Sequence, residues 1–218
     1  MAGMTVSAVE QAERISAAGK VLSQLYLSAP AEQLREAMYS PQMLNDWPLT
    51  DSNSIQGVRT LLSSRPESEE EIKRDHLYLF VGAGRALAQP YESVRTSEEG
   101  LVFEEETFAV RAAYARFGLR APNFNREPDD HIGLEIAFLS DLAERAAEQL
   151  GAGEDAEEIR LAMRDFLFDH LDRFAGGVVE DVRKHAKTAL YKAVAEFTLG
   201  FIASVHAFVE TEGANAAK

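Results

Sequence analysis

Apolar residues recur at three- and four-residue spacing along almost the whole chain. Val9, Ala12, Ile15, Ala18 and Leu22, continued by Leu25 and Tyr26, make one stripe over 6–27, which Pro30 ends. Leu34, Ala37 and Met38 mark the inner face of a short helix at 31–39. The stretch 41–54, broken by Pro48 and by Asp51-Ser52-Asn53-Ser54, reads as turn and loop with room for one helical turn. A short helix is expected at 55–63. Ser64, Pro66 and the acids Glu67, Glu69, Glu70 and Glu71 then signal a new helix start, because negative charge complements the helix dipole there. That helix carries Ile72, Leu77, Leu79 and Phe80 and stops at Gly82 and Gly84.

The stretch 85–100, with Pro90 and Gly100, reads as an extended loop. A helix at 104–117 has Gly118 as its left-handed stop. After a loop at 121–127, Asp129 or Asp130 caps a long helix to Leu150, with Ile132, Ile136, Leu139, Leu142 and Ala143 inside. Gly151-Ala152-Gly153 breaks it, and 154–173 is another amphipathic helix. Gly176-Gly177 then separates off a final long helix at 178–210, and 213–218 is expected to fray. Trp47, the only Trp, reads as a core plug. Period-2 alternation and Asn-Gly or Asp-Gly hairpin signals are missing. The expectation is an all-α chain, a single-domain helical bundle of about eight or more helices over 1–212.

Composition narrows the function classes. The 218 residues are long enough to bury a sizeable core. No run of apolar residues is expected to reach the length of a membrane span, and 1–13 has no secretory pattern. There is no Cys, which removes disulfides, thiolate metal sites and Cys nucleophiles and fits a cytoplasmic location. A net charge of −14 repels nucleic acid, and it has two readings: it only keeps the protein soluble, or it also attracts and steers a basic partner.

Catalytic signatures are sparse. His76, His131, His170, His185 and His206 are scattered, without a His-x-x-x-His pair or a Glu three residues before any of them. Gly82-Ala83-Gly84 lacks the third glycine of a dinucleotide fingerprint, since Leu87 stands there. No Gly-x-Ser-x-Gly elbow is present. The expectation is a binder with no catalytic residues, metal or cofactor.

Glycine, proline and charge concentrate in two breaks, around Phe80 to Val94 and at Glu127-Pro128-Asp129-Asp130-His131-Ile132. Rigid helical scaffolds present binding surfaces at such breaks. The second has two readings: these residues only cap a helix, or His131 and a carboxylate face outward to accept hydrogen bonds from Arg. In the outward reading the carboxylate raises the imidazole pKa and makes the pair pH-sensitive. Tyr91 likewise either seals the core or packs on an apolar peptide while Glu92 pairs with a cation.

Leu79-Phe80-Val81-Gly82, Pro90-Tyr91-Glu92-Ser93-Val94, Glu127-Pro128-Asp129-Asp130-His131-Ile132 and Phe166-Leu167-Phe168-Asp169-His170-Leu171, in this order, resemble the TorD/DmsD family of cytoplasmic molybdoenzyme chaperones, a group that includes the nitrate reductase assembly chaperones. Arg95 stands where the family usually has Tyr, Ala83 where Pro is common, and Phe174 where Trp is usual. The resemblance implies an all-helical protein that binds the twin-arginine signal peptide of a molybdenum-cofactor oxidoreductase precursor, of the DMSO or TMAO reductase type. It holds the precursor for cofactor insertion before Tat export. By motif, the peptide-binding surface is Leu79, Phe80, Gly82, Tyr91, Glu92, Pro128, Asp130 and His131. Phe80 and Tyr91 would contact the apolar part of the signal, and Asp130 and Glu92 its arginines. The expected state is monomer or homodimer. Two rival readings are an adaptor that binds the folded reductase independently of its leader, and a metal-dependent hydrolase using His131, Asp130 and Glu135.

Overall fold

The computed structural model describes residues 6–82 and 84–211; the tail expected to fray lies outside them. In chain order the helices are α1 (Ala8–Leu27), α2 (Glu32–Met38), α3 (Pro41–Asn45), α4 (Ser52–Leu62), α5 (Glu69–His76), α6 (Glu92–Thr96), α7 (Glu105–Arg116), α8 (Ile132–Gly151), α9 (Glu157–Phe166), α10 (Asp172–His185) and α11 (Ala189–Glu210). A π-helical turn, Leu77–Val81, follows α5, and a second, Leu167–Leu171, joins α9 to α10. Among the described residues there is no strand, and one isolated antiparallel bridge pairs Tyr91 with His131. The all-α expectation is met.

Helices α1, α8 and α11 form the centre, where glycines let backbones approach closely. A Cβ on Gly19 of α1 would lie 1.9 Å from Ser140 Oγ and 2.7 Å from the Phe201 ring. Gly200 of α11 lies against Ser54 of α4, and Gly57 of α4 lies against the Phe197 ring of α11. Trp47 stacks on Phe197 at 4.0 Å and is buried, as a core plug should be. The Tyr26 hydroxyl meets Thr198 Oγ1 at 2.9 Å, so the buried phenol keeps a partner.

Helix α11 has the length and apolar composition of a membrane span, which corrects the expectation that no segment reaches it. In the fold it is a core helix: Leu190, Tyr191, Val194, Phe197 and Phe201 are all fully buried. Its N-terminus is held by two acids from elsewhere in the chain. Asp75 accepts from the Lys187 and Thr188 amides at 2.9 and 2.8 Å, and Glu67 accepts from the Ala189 and Leu190 amides. Carboxylates there satisfy free N–H groups and the positive end of the dipole together.

Several boundaries differ from the sequence reading. Gly176 and Gly177 lie inside α10 and break nothing; the chain turns instead at 186–188. Gly177 leaves room for Arg95, whose Nη1 would be 2.9 Å from a Cβ placed there. Arg95 donates to the Gln89 carbonyl and to Asp181, each at 2.6 Å, and so ties α6 to α10. The departure from Tyr at this position therefore has its own structural role. Helix α5 begins after Ser68, not at Pro66, through reciprocal capping by Ser68 and Glu71. The loop expected at 85–100 contains α6, and the loop expected at 41–54 contains α3 and the start of α4.

Candidate functional site

Five consecutive apolar residues, Leu77 to Val81, end the α5 segment. One face of an α-helix cannot bury five in a row, and the π turn divides them. Leu79 and Phe80 point inward, with Phe80 packed edge-on against Tyr26 and Tyr191 at 5.1 and 5.6 Å. Leu77, Tyr78 and Val81 are exposed, Tyr78 by 50% and Val81 by 59%. Gly82 ends the turn at φ +76°, and a Cβ there would lie 2.7 Å from the Ala86 amide. The chain then folds back: the Leu87 and Ala88 amides donate to the Tyr78 and Leu79 carbonyls at 3.0 and 2.8 Å. Leu87 is exposed as well. Sequence reasoning missed these outward residues because it assumed one helical period throughout; the uninterrupted apolar run was the signal.

The returning chain reaches the bridge. The Glu92 amide donates to the Asp130 carbonyl at 2.9 Å and the Ile132 amide to the Pro90 carbonyl at 2.8 Å. This pairs the two motifs that the sequence singled out, with the Tyr91 and His131 rings edge-to-face at 5.1 Å. Pro128 is buried, Tyr91 is half-buried and Glu127 is exposed. Burial raises the Tyr91 pKa, and the nearby charges of Glu127 and then Asp130 raise it further.

Beneath the bridge, Glu92, Asp129, Asp130 and Glu135 are fully buried. Asp130 accepts from the Ser93 amide and from the Thr107 hydroxyl, each at 2.7 Å. It thus holds α6 and α7 against the chain that enters α8. Glu92 accepts from His170 Nδ1 at 2.9 Å and from Arg173 at 3.3 Å. Asp129 accepts from Arg111 Nε at 3.0 Å, and that guanidinium lies 4.2 Å from the Phe124 ring centre. Glu135 has no partner for either carboxylate oxygen among the described residues. Burial holds its carboxyl well above the usual range, and the charges of Glu92 and Asp130 push the same way.

His131, and neither aspartate, caps α8: its Nδ1 accepts from the Gly133 amide at 3.0 Å. It is buried, and Asp130 beside it faces inward, so the pair does not face outward as one reading held. Burial lowers the His131 pKa to about 3, aided by the charge of His76. Desolvation of the buried ring is the main cause, so the upward shift expected of an outward-facing pair is reversed. Phe80 too is buried, not presented to solvent. Among the described residues, no three His, Asp or Glu side chains gather as a metal-binding group.

A family model described as "Nitrate reductase delta subunit" matches residues 28–180. A chaperone protein TorD of Vibrio cholerae is 28% identical over 141 residues, covering 65% of this chain and 63% of the relative. The chain thus matches less than two thirds of that relative's length. A Tat proofreading chaperone DmsD of Salmonella paratyphi A is 26% identical over 191 residues, covering 85% of this chain and 86% of the relative. A solved structure from Archaeoglobus fulgidus aligns over 91% of this chain and 97% of its own, at TM-score 0.46 and 18% identity. With two of its four ordered motifs joined at the bridge and the family model matched from 28 to 180, the chain belongs to the nitrate reductase delta subunit family, in the TorD/DmsD group.

Proposed function

We propose that this protein is a cytoplasmic chaperone that binds the twin-arginine signal peptide of a molybdenum-cofactor oxidoreductase precursor and holds it for maturation before Tat export. The observation that carries the reading is the exposed apolar strip at the first π turn: Leu77, Tyr78, Val81 and Leu87, in a chain of net charge −14. A leader combines an apolar segment with two arginines, and this surface is complementary to both. Tyr91, four residues after Leu87 and half-buried at the bridge, contacts the peptide. Leu79, Phe80, Gly82, Pro128 and His131 set the shape of the surface from below. Glu92 and Asp130 act through the frame they hold, while Glu127 offers an exposed carboxylate near Tyr91.

A second reading, an adaptor that binds the folded reductase without its leader, draws on a separate surface. Leu101, Val102, Phe103 and Phe108 are exposed beside Glu98, Glu99 and Glu105, none of which forms an ion pair among the described residues.

Calorimetric titration with a synthetic leader tests the main reading. Micromolar or tighter binding is expected, weakened by salt and by shortening the apolar segment. Tyr78→Ser with Val81→Ser should weaken it about tenfold or more while the protein still unfolds cooperatively, because about half of each side chain is already in water. Unchanged affinity in that variant would remove the strip from the site. Equal binding of a reductase lacking its leader would favour the adaptor.

A further inference from the structure

The motif Phe166-Leu167-Phe168-Asp169-His170-Leu171 has no part in the peptide surface described above. It spans the end of α9 and the second π turn, and it forms part of a slot of about 130 Å³ between α7, α8 and α9. Three rings wall the slot. Phe138 lies edge-on to Phe166 at 4.7 Å and to Phe117 at 5.9 Å. His170 completes the lining, 4.8 Å from the Phe166 ring.

His170 is nine-tenths buried. Its Nδ1 lies 2.9 Å from the fully buried Glu92 carboxylate, which holds the ring in place by accepting from it. The hydrogen bond recorded for the ring is the one at Nδ1, which leaves Nε2 without a partner among the described residues. The mouth of the slot is charged, with Arg116 and Asp169 exposed there.

We propose that this slot binds one hydroxyl-bearing aromatic ring, the side chain of a tyrosine presented by a partner polypeptide. At about 130 Å³ the slot is slightly smaller than the roughly 150 Å³ apolar cavity that takes up benzene, so it has room for no more than one ring, seated with an edge at the open mouth. The surrounding ring edges and faces favour an aromatic guest over an aliphatic one. A phenol hydroxyl both donates and accepts, so it can pair with the unused Nε2 in either protonation state of the ring. The slot is open at its charged mouth, which leaves the rest of the ligand in water, the arrangement of an anchor residue in a protein interface. Because Glu92 directly follows Tyr91, an occupied slot touches the same frame as the Tyr91–His131 bridge.

An NMR titration of the full chain with p-cresol, toluene and N-acetyl-tyrosinamide tests this. At about millimolar concentration, p-cresol and N-acetyl-tyrosinamide are expected to shift side-chain signals of Phe138, Phe166 and His170, with toluene several-fold weaker. Ala113→Leu narrows the slot from α7 and should weaken both ligands about tenfold. Should that variant not fold, Ala162→Leu narrows it from α9. Shifts elsewhere only, or unchanged binding in the narrowed variant, would overturn the site. Equal affinity for p-cresol and toluene would overturn the role of His170. Binding of p-cresol without N-acetyl-tyrosinamide would overturn the tyrosine side chain as occupant.

Discussion

Asp130 sits inside the motif that names the family resemblance, yet its carboxylate is used up within the fold. It accepts from the Ser93 amide and the Thr107 hydroxyl at 2.7 Å, and its exposure is zero. Asp130→Ala strands both donors in the interior. Each buried donor left unpaired costs about 1–3 kcal/mol, so the loss should be roughly 4 kcal/mol. That is a large share of the roughly 5–15 kcal/mol by which a folded domain is stable. Asp130→Asn is the discriminating change. Its amide oxygen still accepts from the Ser93 N–H, and its amide nitrogen donates to Thr107 once that hydroxyl rotates, so only about 1 kcal/mol should be lost. Urea unfolding followed by circular dichroism measures both. Leader titration is run beside it, and the Asn variant should keep affinity within about threefold, because removing a framed charge that the peptide never meets leaves its contacts intact. An Ala variant within 1 kcal/mol of the parent, on the scale of one ordinary hydrogen bond, would refute the framing role. An Asn variant that is stable but loses the leader would show that the peptide meets this carboxylate directly.

Glu135 is neutral in the fold and ionised in the unfolded chain above the ordinary carboxyl pKa of 4.5. Its contribution to stability is therefore full below that value and declines by about 1.4 kcal/mol per pH unit as pH rises toward the folded pKa. Glu135→Gln should gain on the parent steadily from acid to alkaline pH in urea unfolding, and a pH-independent difference would contradict the buried neutral carboxyl. His131 runs the other way: with a folded pKa of about 3, its contribution is lost as pH falls from about 6.5 toward 3, and its imidazole signals should not titrate by NMR near neutrality. Gly19→Ala should destabilise by about 1–3 kcal/mol, because the new methyl meets Ser140 and Phe201. Gly176→Ala, exposed on α10 with nothing within 4 Å, should instead stabilise by about 0.5–1 kcal/mol in the same urea unfolding assay.

The sequence by itself determined the helical class, most helix positions and the motifs that matter. Apolar spacing from Val9 to Leu22 and from Ile132 to Ala143 has one dominant period, and Gly82 and Gly118 take the positive φ that their stop role requires. Such signals are local, so a linear reading recovers them. The tertiary structure decided which side of each motif faces water. Leu79 and Phe80 turned inward and Tyr78 and Val81 outward because a π turn shifts the helical period for five residues. Gly177 makes room for Arg95, which reaches Asp181, 86 positions along the chain. His131 replaced two aspartates as the cap because Asp130 was drawn to Ser93 and Thr107, and Asp129 to Arg111. Each of these outcomes is a competition among hydrogen-bond partners distant in sequence, settled by burial, and the local pattern of residues carries no term for it.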